Sequence, residues 1–156
     1  ADVHNTGVLP NMKLSILLIA ILFSFSSLAA DYQSEIDEFF KLYQAGKVDE
    51  AVDSIYRTNK YVSSIPDQIQ RVKTQLNALE GLVGDINNIG KIDTYSVGDD
   101  FVHVTYLATY DRQPVRYEFQ FFKVKSGWRI YSFSFDDNLT KEITTLARKA
   151  ALSSKK

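Results

Sequence analysis

Three runs of alternating side chains between Phe101 and Asp137 constrain the fold more than any other part of the chain. Because a strand turns successive side chains to opposite faces, this alternation predicts β-strands that each have one apolar face. Short turns near 112–113 and 125–127 separate the runs, so we expect an antiparallel meander of three strands. Its apolar face is predicted to carry Val104, Tyr106, Ala108, Tyr117, Phe119, Phe121, Tyr131, Phe133 and Phe135. Other elements must cover this face, since exposing so much apolar area to water is unfavourable.

The other face of the meander is predicted to grade from apolar to polar along the strands. This follows from a register in which Asp111 faces Pro114 and Val124 faces Trp128. Exposed apolar patches often mark association surfaces, so the apolar end predicts a homodimer that forms through the sheet. The alternative is that a loop or the last helix covers the patch. The predicted interface residues are Phe101, Phe122, Val124, Trp128 and Ile130.

Apolar residues recur at helical spacing on both sides of the meander. Their pattern predicts helices over 34–45, 48–59 and 66–83, followed by a first strand over 89–97. A last helix is expected to begin after Asn138. The sequence therefore predicts an α+β fold, in which three N-terminal helices pack on a curved four-stranded antiparallel sheet and a C-terminal helix follows.

The segment before residue 31 has the pattern of a targeting signal. Met12 and Lys13 precede an apolar run of about a dozen residues, and small residues lead up to Ala30, as in secretory signal peptides. The run is shorter than the ~20 residues of a membrane span, although a permanent N-terminal anchor is the alternative. We predict a periplasmic or secreted protein with upstream residues at 1–11, a signal peptide at 12–30, a single domain at 31–152 and a disordered tail at 153–156.

Composition excludes several kinds of function. The chain has no cysteine, so disulfides, thiolate metal sites and thiol catalysis are excluded. Its 18 lysines and arginines nearly balance its 19 acidic residues. Nucleic acids and anionic membranes usually require clustered positive charge, so we expect no nucleic-acid partner. We also expect no membrane insertion after signal cleavage, no cofactor and no metal site.

Two phrases of the sequence resemble a known superfamily: Gly-Lys-Val-Asp-Glu-Ala at 46–51 and Phe-Lys-Val-Lys-Ser-Gly-Trp-Arg-Ile at 122–130. With the order of helices and strands, they resemble uncharacterised exported members of the nuclear-transport-factor-2-like (cystatin-like) α+β superfamily. That superfamily encloses a cone-shaped pocket between its helices and its sheet, and the pocket serves enzymes, binding modules and dimerisation domains alike. The resemblance implies a pocket over the aromatic face. We expect its ligand-binding residues to be Tyr106, Tyr117, Phe119, Tyr131 and Phe133.

Tyrosine is an unusual choice for a face that is merely core, because each buried hydroxyl needs a hydrogen-bond partner. We therefore predict that at least two of the hydroxyls of Tyr106, Tyr117 and Tyr131 point into a cavity bounded by the third helix. Water or a polar group of a ligand would satisfy them there.

Three interpretations of function stay open: a non-enzymatic protein that binds a small apolar or amphipathic ligand, a dimerising interaction module, and a pocket enzyme of ketosteroid-isomerase-like or hydrolase type. The enzyme would need a carboxylate base in apolar surroundings, for which the first strand offers Asp93. His103 is the one histidine after residue 30, and the sequence places no catalytic or metal-binding partner beside it. We therefore predict no catalytic residue.

Overall fold

The computed structural model describes residues 31–154. The predicted upstream residues and signal peptide, and the last two residues of the predicted tail, lie outside this part of the chain. Ser153 of that tail is still helical. In order, the described elements are α1 (Tyr32–Gln44), α2 (Val48–Tyr56), a 3₁₀ turn (Lys60–Ser64), α3 (Pro66–Val83), β1 (Ile86–Val97), β2 (Phe101–Tyr110), β3 (Pro114–Val124), β4 (Gly127–Asp136) and α4 (Leu139–Ser153).

The strands form one antiparallel sheet in the order β1-β2-β3-β4, and the predicted α+β fold is confirmed. α1 begins where the Asp31 side chain accepts a hydrogen bond from the backbone N–H of Gln33. α3 begins with Pro66, whose missing N–H is not needed in a first helical turn. The inward faces of α1, α2 and α3 join one face of the sheet in a single hydrophobic core.

The register of β2 with β3 differs from the prediction by two residues. Thr109 lies opposite Pro114 and Tyr106 lies opposite Tyr117. Four residues therefore separate the last paired residues of the two strands, where we predict two. An even shift leaves every side chain on its predicted face, because faces alternate with a period of two. The inward row of β2 is buried as predicted, and it consists of Val102, Val104, Tyr106, Ala108 and Tyr110.

β4 contains a β-bulge that the alternating pattern does not predict. Phe119 lies opposite Phe133 as expected, but Phe121 lies opposite Ile130, so Tyr131 is an extra residue in the ladder. Ile130 is therefore turned towards the helices, where it is 1% exposed, while Tyr131 is 69% exposed on the other face. The predicted faces of Ile130 and Tyr131 are both wrong.

Trp128 also lies on the helix side of the sheet. The turn has two residues, Lys125 and Ser126, and Val124 lies opposite Gly127 and not opposite Trp128. The indole packs edge-on against the ring of Tyr32 in α1, with ring centroids 5.1 Å apart. Trp128 and Ile130 are thus not on the outer face, where we predict an interface.

α4 leaves most of its apolar stripe uncovered. Leu139 is buried, whereas Ile143 and Leu146 are more than half exposed. A hydrogen-bonded ion pair between Glu142 and Arg116 of β3 holds the first turn of α4 to the sheet.

No helix within residues 31–154 is long and apolar enough to span a membrane.

Candidate functional site

Side chains of α1 fill the space over the aromatic face of the sheet. The ring centroid of Phe39 lies 5.4 Å from that of Phe119 and 5.1 Å from that of Phe133. Tyr117 and Phe119 are fully buried, and Tyr106 and Phe133 are nearly so. These four predicted ligand-binding residues thus form a buried aromatic cluster whose rings contact one another and α1.

The hydroxyls of the three predicted pocket tyrosines do not meet in one cavity. The hydroxyl oxygen of Tyr106 accepts a hydrogen bond from Gln33 Nε2 at 2.7 Å. The hydroxyl of Tyr117 lies 2.5 Å from that of Tyr110, and Tyr131 is exposed on the opposite face. The prediction of a shared cavity fails because two hydroxyls find side-chain partners and the bulge turns the third outwards.

Tyr43, Tyr110 and Tyr117 form a hydrogen-bonded chain of hydroxyls, which we call the tyrosine triad. The hydroxyl oxygens of Tyr43 and Tyr110 lie 2.9 Å apart, and those of Tyr110 and Tyr117 lie 2.5 Å apart. Burial raises the pKa of Tyr117 and of Tyr110 far above the ordinary value of a phenol. Both groups therefore remain neutral and can donate hydrogen bonds.

Counting protons limits the direction of this chain. Three hydroxyls carry three protons, and the two hydrogen bonds use two of them. A spare proton on the fully buried Tyr117 would stay unpaired, at a cost of about 1–3 kcal/mol. Tyr117 therefore donates to Tyr110, and the spare proton belongs to the hydroxyl of Tyr43 or to that of Tyr110.

A crevice of ≈ 330 Å³ opens beside the triad, and we call it the tyrosine crevice. It lies where the α1–α2 turn, α3 and the start of β1 meet. Its aromatic and aliphatic lining consists of Tyr43, Val48, Leu76, Ile86 and Tyr110. Tyr43 is only 8% exposed and Tyr110 only 6%, so the spare proton sits in a largely buried wall of this crevice.

The polar lining of the tyrosine crevice consists of Gln44, Asn77, Glu80 and Asp85. Within residues 31–154, the carboxylates of Glu80 and Asp85 have no ion-pair partner within 4 Å. The amide nitrogen of Asn77 donates to Asp49 Oδ1 at 2.7 Å and to the carbonyl of Lys73 at 2.9 Å, which leaves its oxygen as an acceptor. The crevice therefore presents more acceptors than donors.

A backbone clamp positions Asp85 at the mouth of the crevice. Gly84 ends α3 with a φ of 84°, a conformation that favours glycine. The next N–H, of Asp85, donates to Asp111 Oδ2 at 3.1 Å, and the N–H of Asp111 donates to the carbonyl of Asp85 at 3.1 Å. The β2–β3 connection thus holds the end of α3 in place.

Sequence reasoning missed the crevice residues Tyr43, Tyr110, Glu80 and Asp85 as a group. One signal was present, because Tyr43 lies in the last turn of a predicted inward helix face and Tyr110 ends a predicted inward strand row. Nothing in the pattern shows that these two ends meet, since their contact depends on how α1 crosses the sheet.

On the outer face of the sheet, Phe101, Phe122 and Tyr131 form an outer aromatic cluster. The ring of Tyr131 lies 5.9 Å from that of Phe101 and 6.5 Å from that of Phe122. Tyr95 and Val97 of the neighbouring strand β1 lie on the same face and are more than half exposed. Tyr131 thus takes the place that was predicted for Trp128 and Ile130.

His103 belongs to a polar network on the same outer face. Its Nδ1 lies 3.0 Å from Gln120 Nε2, and its Nε2 lies 3.3 Å from Glu118 Oε1. The register places it opposite Gln120, whereas we predicted Phe122 as its neighbour. Asp93 is exposed, and its carboxylate accepts from the N–H of Thr94. Among residues 31–154, no group of three or more His, Cys, Asp or Glu side chains is arranged to hold a metal ion.

Arg116 connects this network to the end of the sheet. It forms a cross-strand ion pair with Asp136 through its Nη2 at 3.0 Å, and it also lies 3.8 Å from Glu118. Each of these polar side chains thus has a partner within the protein. All of them lie on the face of the sheet opposite the tyrosine crevice.

No protein-family model matches the chain. No curated protein matches it either.

Two solved structures are similar to the chain. One is a DUF4783 family protein from Bacteroides uniformis, with a TM-score of 0.36 and 13% identity; the match covers 45% of this chain and 63% of that protein. The other is a phospholipid-binding protein from Ralstonia solanacearum in complex with a phospholipid, with a TM-score of 0.44 and 18% identity over 69% of this chain and 79% of that one. At this level of similarity neither neighbour assigns a function to this chain.

Proposed function

We propose that the chain is a non-enzymatic binding protein whose tyrosine crevice holds a small amphipathic molecule. The observation that carries this proposal is that two hydroxyls of the triad, those of Tyr43 and Tyr110, line the crevice and share one proton that has no acceptor within the triad. A ligand with an acceptor atom would pair with that proton, while its apolar part would contact Val48, Leu76 and Ile86. This division into a few polar groups and an apolar wall is typical of small-molecule sites.

The size of the crevice supports a small ligand. Its ≈ 330 Å³ lies near the lower end of the ~300–1,000 Å³ that ligand pockets occupy. The buried aromatic cluster next to it holds one wall rigid, because its rings are packed against α1 and β3. Binding to a rigid wall requires little ordering, which favours affinity.

The isomerase alternative has less support. A carboxylate that abstracts a proton from carbon needs apolar surroundings to raise its pKa. Glu80 and Asp85 are both exposed at the mouth of the crevice, and Asp93 lies on the outer face. The triad supplies a neutral donor, but the described residues place no buried acid beside it.

Saturation-transfer NMR with cyclohexylmethanol tests this function. This neutral probe has an apolar ring and one hydroxyl, and we expect it to receive magnetisation from the wild-type protein. Val48→Trp should abolish the transfer, because the indole would occupy the crevice. Glu50→Trp is the matched control, since it lies on the same helix, is exposed and does not line the crevice. Absence of transfer in the wild type, or equal loss in both variants, would contradict the proposal.

A second candidate function is homodimerisation through the outer face of the sheet. It is supported by the outer aromatic cluster, because exposed aromatic groups on one surface are typical of association sites. Tyr131→Lys should lower the dimer fraction measured by light scattering after size exclusion, and Gln75→Lys, at an exposed position of α3 on the other side of the sheet, should not. A wild-type protein that stays monomeric at all concentrations would contradict this function.

We also propose a superfamily and a location for the protein. The order of three helices, four antiparallel strands and a helix supports membership of the nuclear-transport-factor-2-like superfamily. The signal-like segment at 12–30 supports a periplasmic or secreted mature protein. N-terminal sequencing of the protein from its own cell should begin at or within a residue or two of Asp31, and residues upstream of Leu28 would contradict export.

A further inference from the structure

The lining of the tyrosine crevice carries charge of one sign. Glu80 and Asp85 line it, and among residues 31–154 no lysine or arginine does. The basic side chains of nearby segments have other partners: Lys47 pairs with Glu50, and Lys73 pairs with Asp53. In the described part of the chain, the two carboxylates at the mouth therefore have no cation within 4 Å to balance them.

Arg112 is close in sequence to the clamp at the end of α3, but it also has other partners. Its guanidinium Nη1 donates to the carbonyls of Gly81 and Leu82 at 3.0 and 2.9 Å. Lysine and arginine side chains near a helix C-terminus typically bind the last free carbonyls in this way. Arg112 thus stabilises the end of α3.

The neutral groups of the tyrosine crevice also favour a positively charged ligand over an anion. The oxygen of Asn77 remains an acceptor, because the amide nitrogen is the donor in both hydrogen bonds of this side chain. Tyr43 and Tyr110 add one free hydroxyl proton, and Gln44 adds an amide donor. A carboxylate or phosphate in the crevice would therefore meet two like charges with only neutral donors to oppose them.

From this arrangement we infer that the ligand of the tyrosine crevice is a small organic cation, an ammonium group carried on an apolar body. This inference rests on the proposed binding function and adds the charge of the ligand to it. The ammonium would lie between Glu80, Asp85 and the Asn77 oxygen, and the apolar body would contact Leu76 and Ile86. The spare proton of the tyrosine triad would bind an acceptor atom of the ligand or an ordered water molecule.

Three probes that differ only in their polar group test the inference: cyclohexylmethylammonium, cyclohexylmethanol and cyclohexanecarboxylate. We expect the ammonium to bind about 10-fold more tightly than the alcohol in NMR titrations, because two carboxylates attract it. The carboxylate should not bind measurably. Added salt should reduce the advantage of the ammonium, because it screens exposed charges.

Glu80→Gln together with Asp85→Asn keeps the shape of the crevice and removes its charge. This double variant should bind the ammonium and the alcohol about equally. Asp99→Asn together with Asp100→Asn removes the same charge from the exposed β1–β2 turn outside the crevice, and it should keep the preference for the ammonium.

The outcomes separate the inference from the function on which it rests. If the alcohol binds in the crevice and the ammonium binds no better, or if the carboxylate binds best, the inference is wrong and the binding function stands. If none of the three probes binds the wild type, both are wrong. An ammonium preference that survives in the Glu80/Asp85 variant would overturn the inference, because another group would then be responsible.

Discussion

The hydroxyl oxygens of Tyr110 and Tyr117 lie 2.5 Å apart inside the core. One residue ends the inward row of β2 and the other lies within β3, so this hydrogen bond joins two neighbouring strands through their side chains. Tyr43 extends it to α1. A polar chain in an otherwise apolar core is stable only if every buried donor has an acceptor. The triad meets this condition because its spare hydroxyl proton lies at the crevice, outside the fully buried region, where an acceptor can reach it.

Tyr110→Phe should lower the free energy of unfolding by about 1–3 kcal/mol, because it leaves the fully buried hydroxyl of Tyr117 without an acceptor. Tyr43→Phe should cost less, since Tyr110 lines the crevice and can donate to water there. Urea unfolding of both variants measures the difference. A larger loss in Tyr43→Phe than in Tyr110→Phe would contradict the donation from Tyr117 to Tyr110.

Alkaline pH should destabilise the protein through the same residues. Burial raises the pKa of Tyr110 and Tyr117 in the folded state, so above pH ~10 the unfolded state loses protons that the folded state keeps. Their contribution to stability is therefore complete below pH ~10 and is lost as the pH rises further.

Urea unfolding at a series of alkaline pH values measures this effect. Tyr117→Phe should show a shallower fall of the free energy of unfolding than the wild type. Tyr131→Phe removes an exposed phenol instead and should follow the wild type. Identical pH dependence in all three proteins would contradict the assignment to Tyr117.

Gly84→Ala should destabilise the protein by more than about 1 kcal/mol, because its φ of 84° disfavours a side chain. The new Cβ would also lie 2.8 Å from the Cβ of Asp111. Gly81→Ala is the control, because its Cβ would meet nothing within 4 Å inside α3 and alanine should stabilise the helix by about 0.5–1 kcal/mol. Thermal melts that shift in the same direction for both variants would contradict the role of the clamp.

Much of the fold could be predicted from the sequence because it depends on local periodicity. The alternation in β2 and β3 identified their buried rows, and Pro66 and Gly84 correctly marked the start and end of α3. Even the error of two residues in the register of β2 with β3 left the faces unchanged, since side chains alternate with a period of two.

The bulge in β4 could not be predicted, because its cause lies in a distant loop. Thr58 Oγ1 accepts from the N–H of Ile130, and Asn59 Nδ2 donates to the carbonyl of Ile130, each at 2.9 Å. These bonds satisfy the backbone of Ile130 at the bulge. The candidate site was missed for a similar reason, since Tyr43 and Tyr110 meet only after α1 has packed on the sheet.

The bulge gives a sharp prediction for two adjacent residues. Ile130→Ala should cost about 2–5 kcal/mol, because it opens a cavity under the helices. Tyr131→Ala should cost less than about 1 kcal/mol, because its ring is 69% exposed on the outer face of the sheet. Unfolding by urea compares the two under the same conditions. In a strand of regular alternation the order would be reversed, so a larger loss in Tyr131→Ala would show that β4 has no bulge in solution.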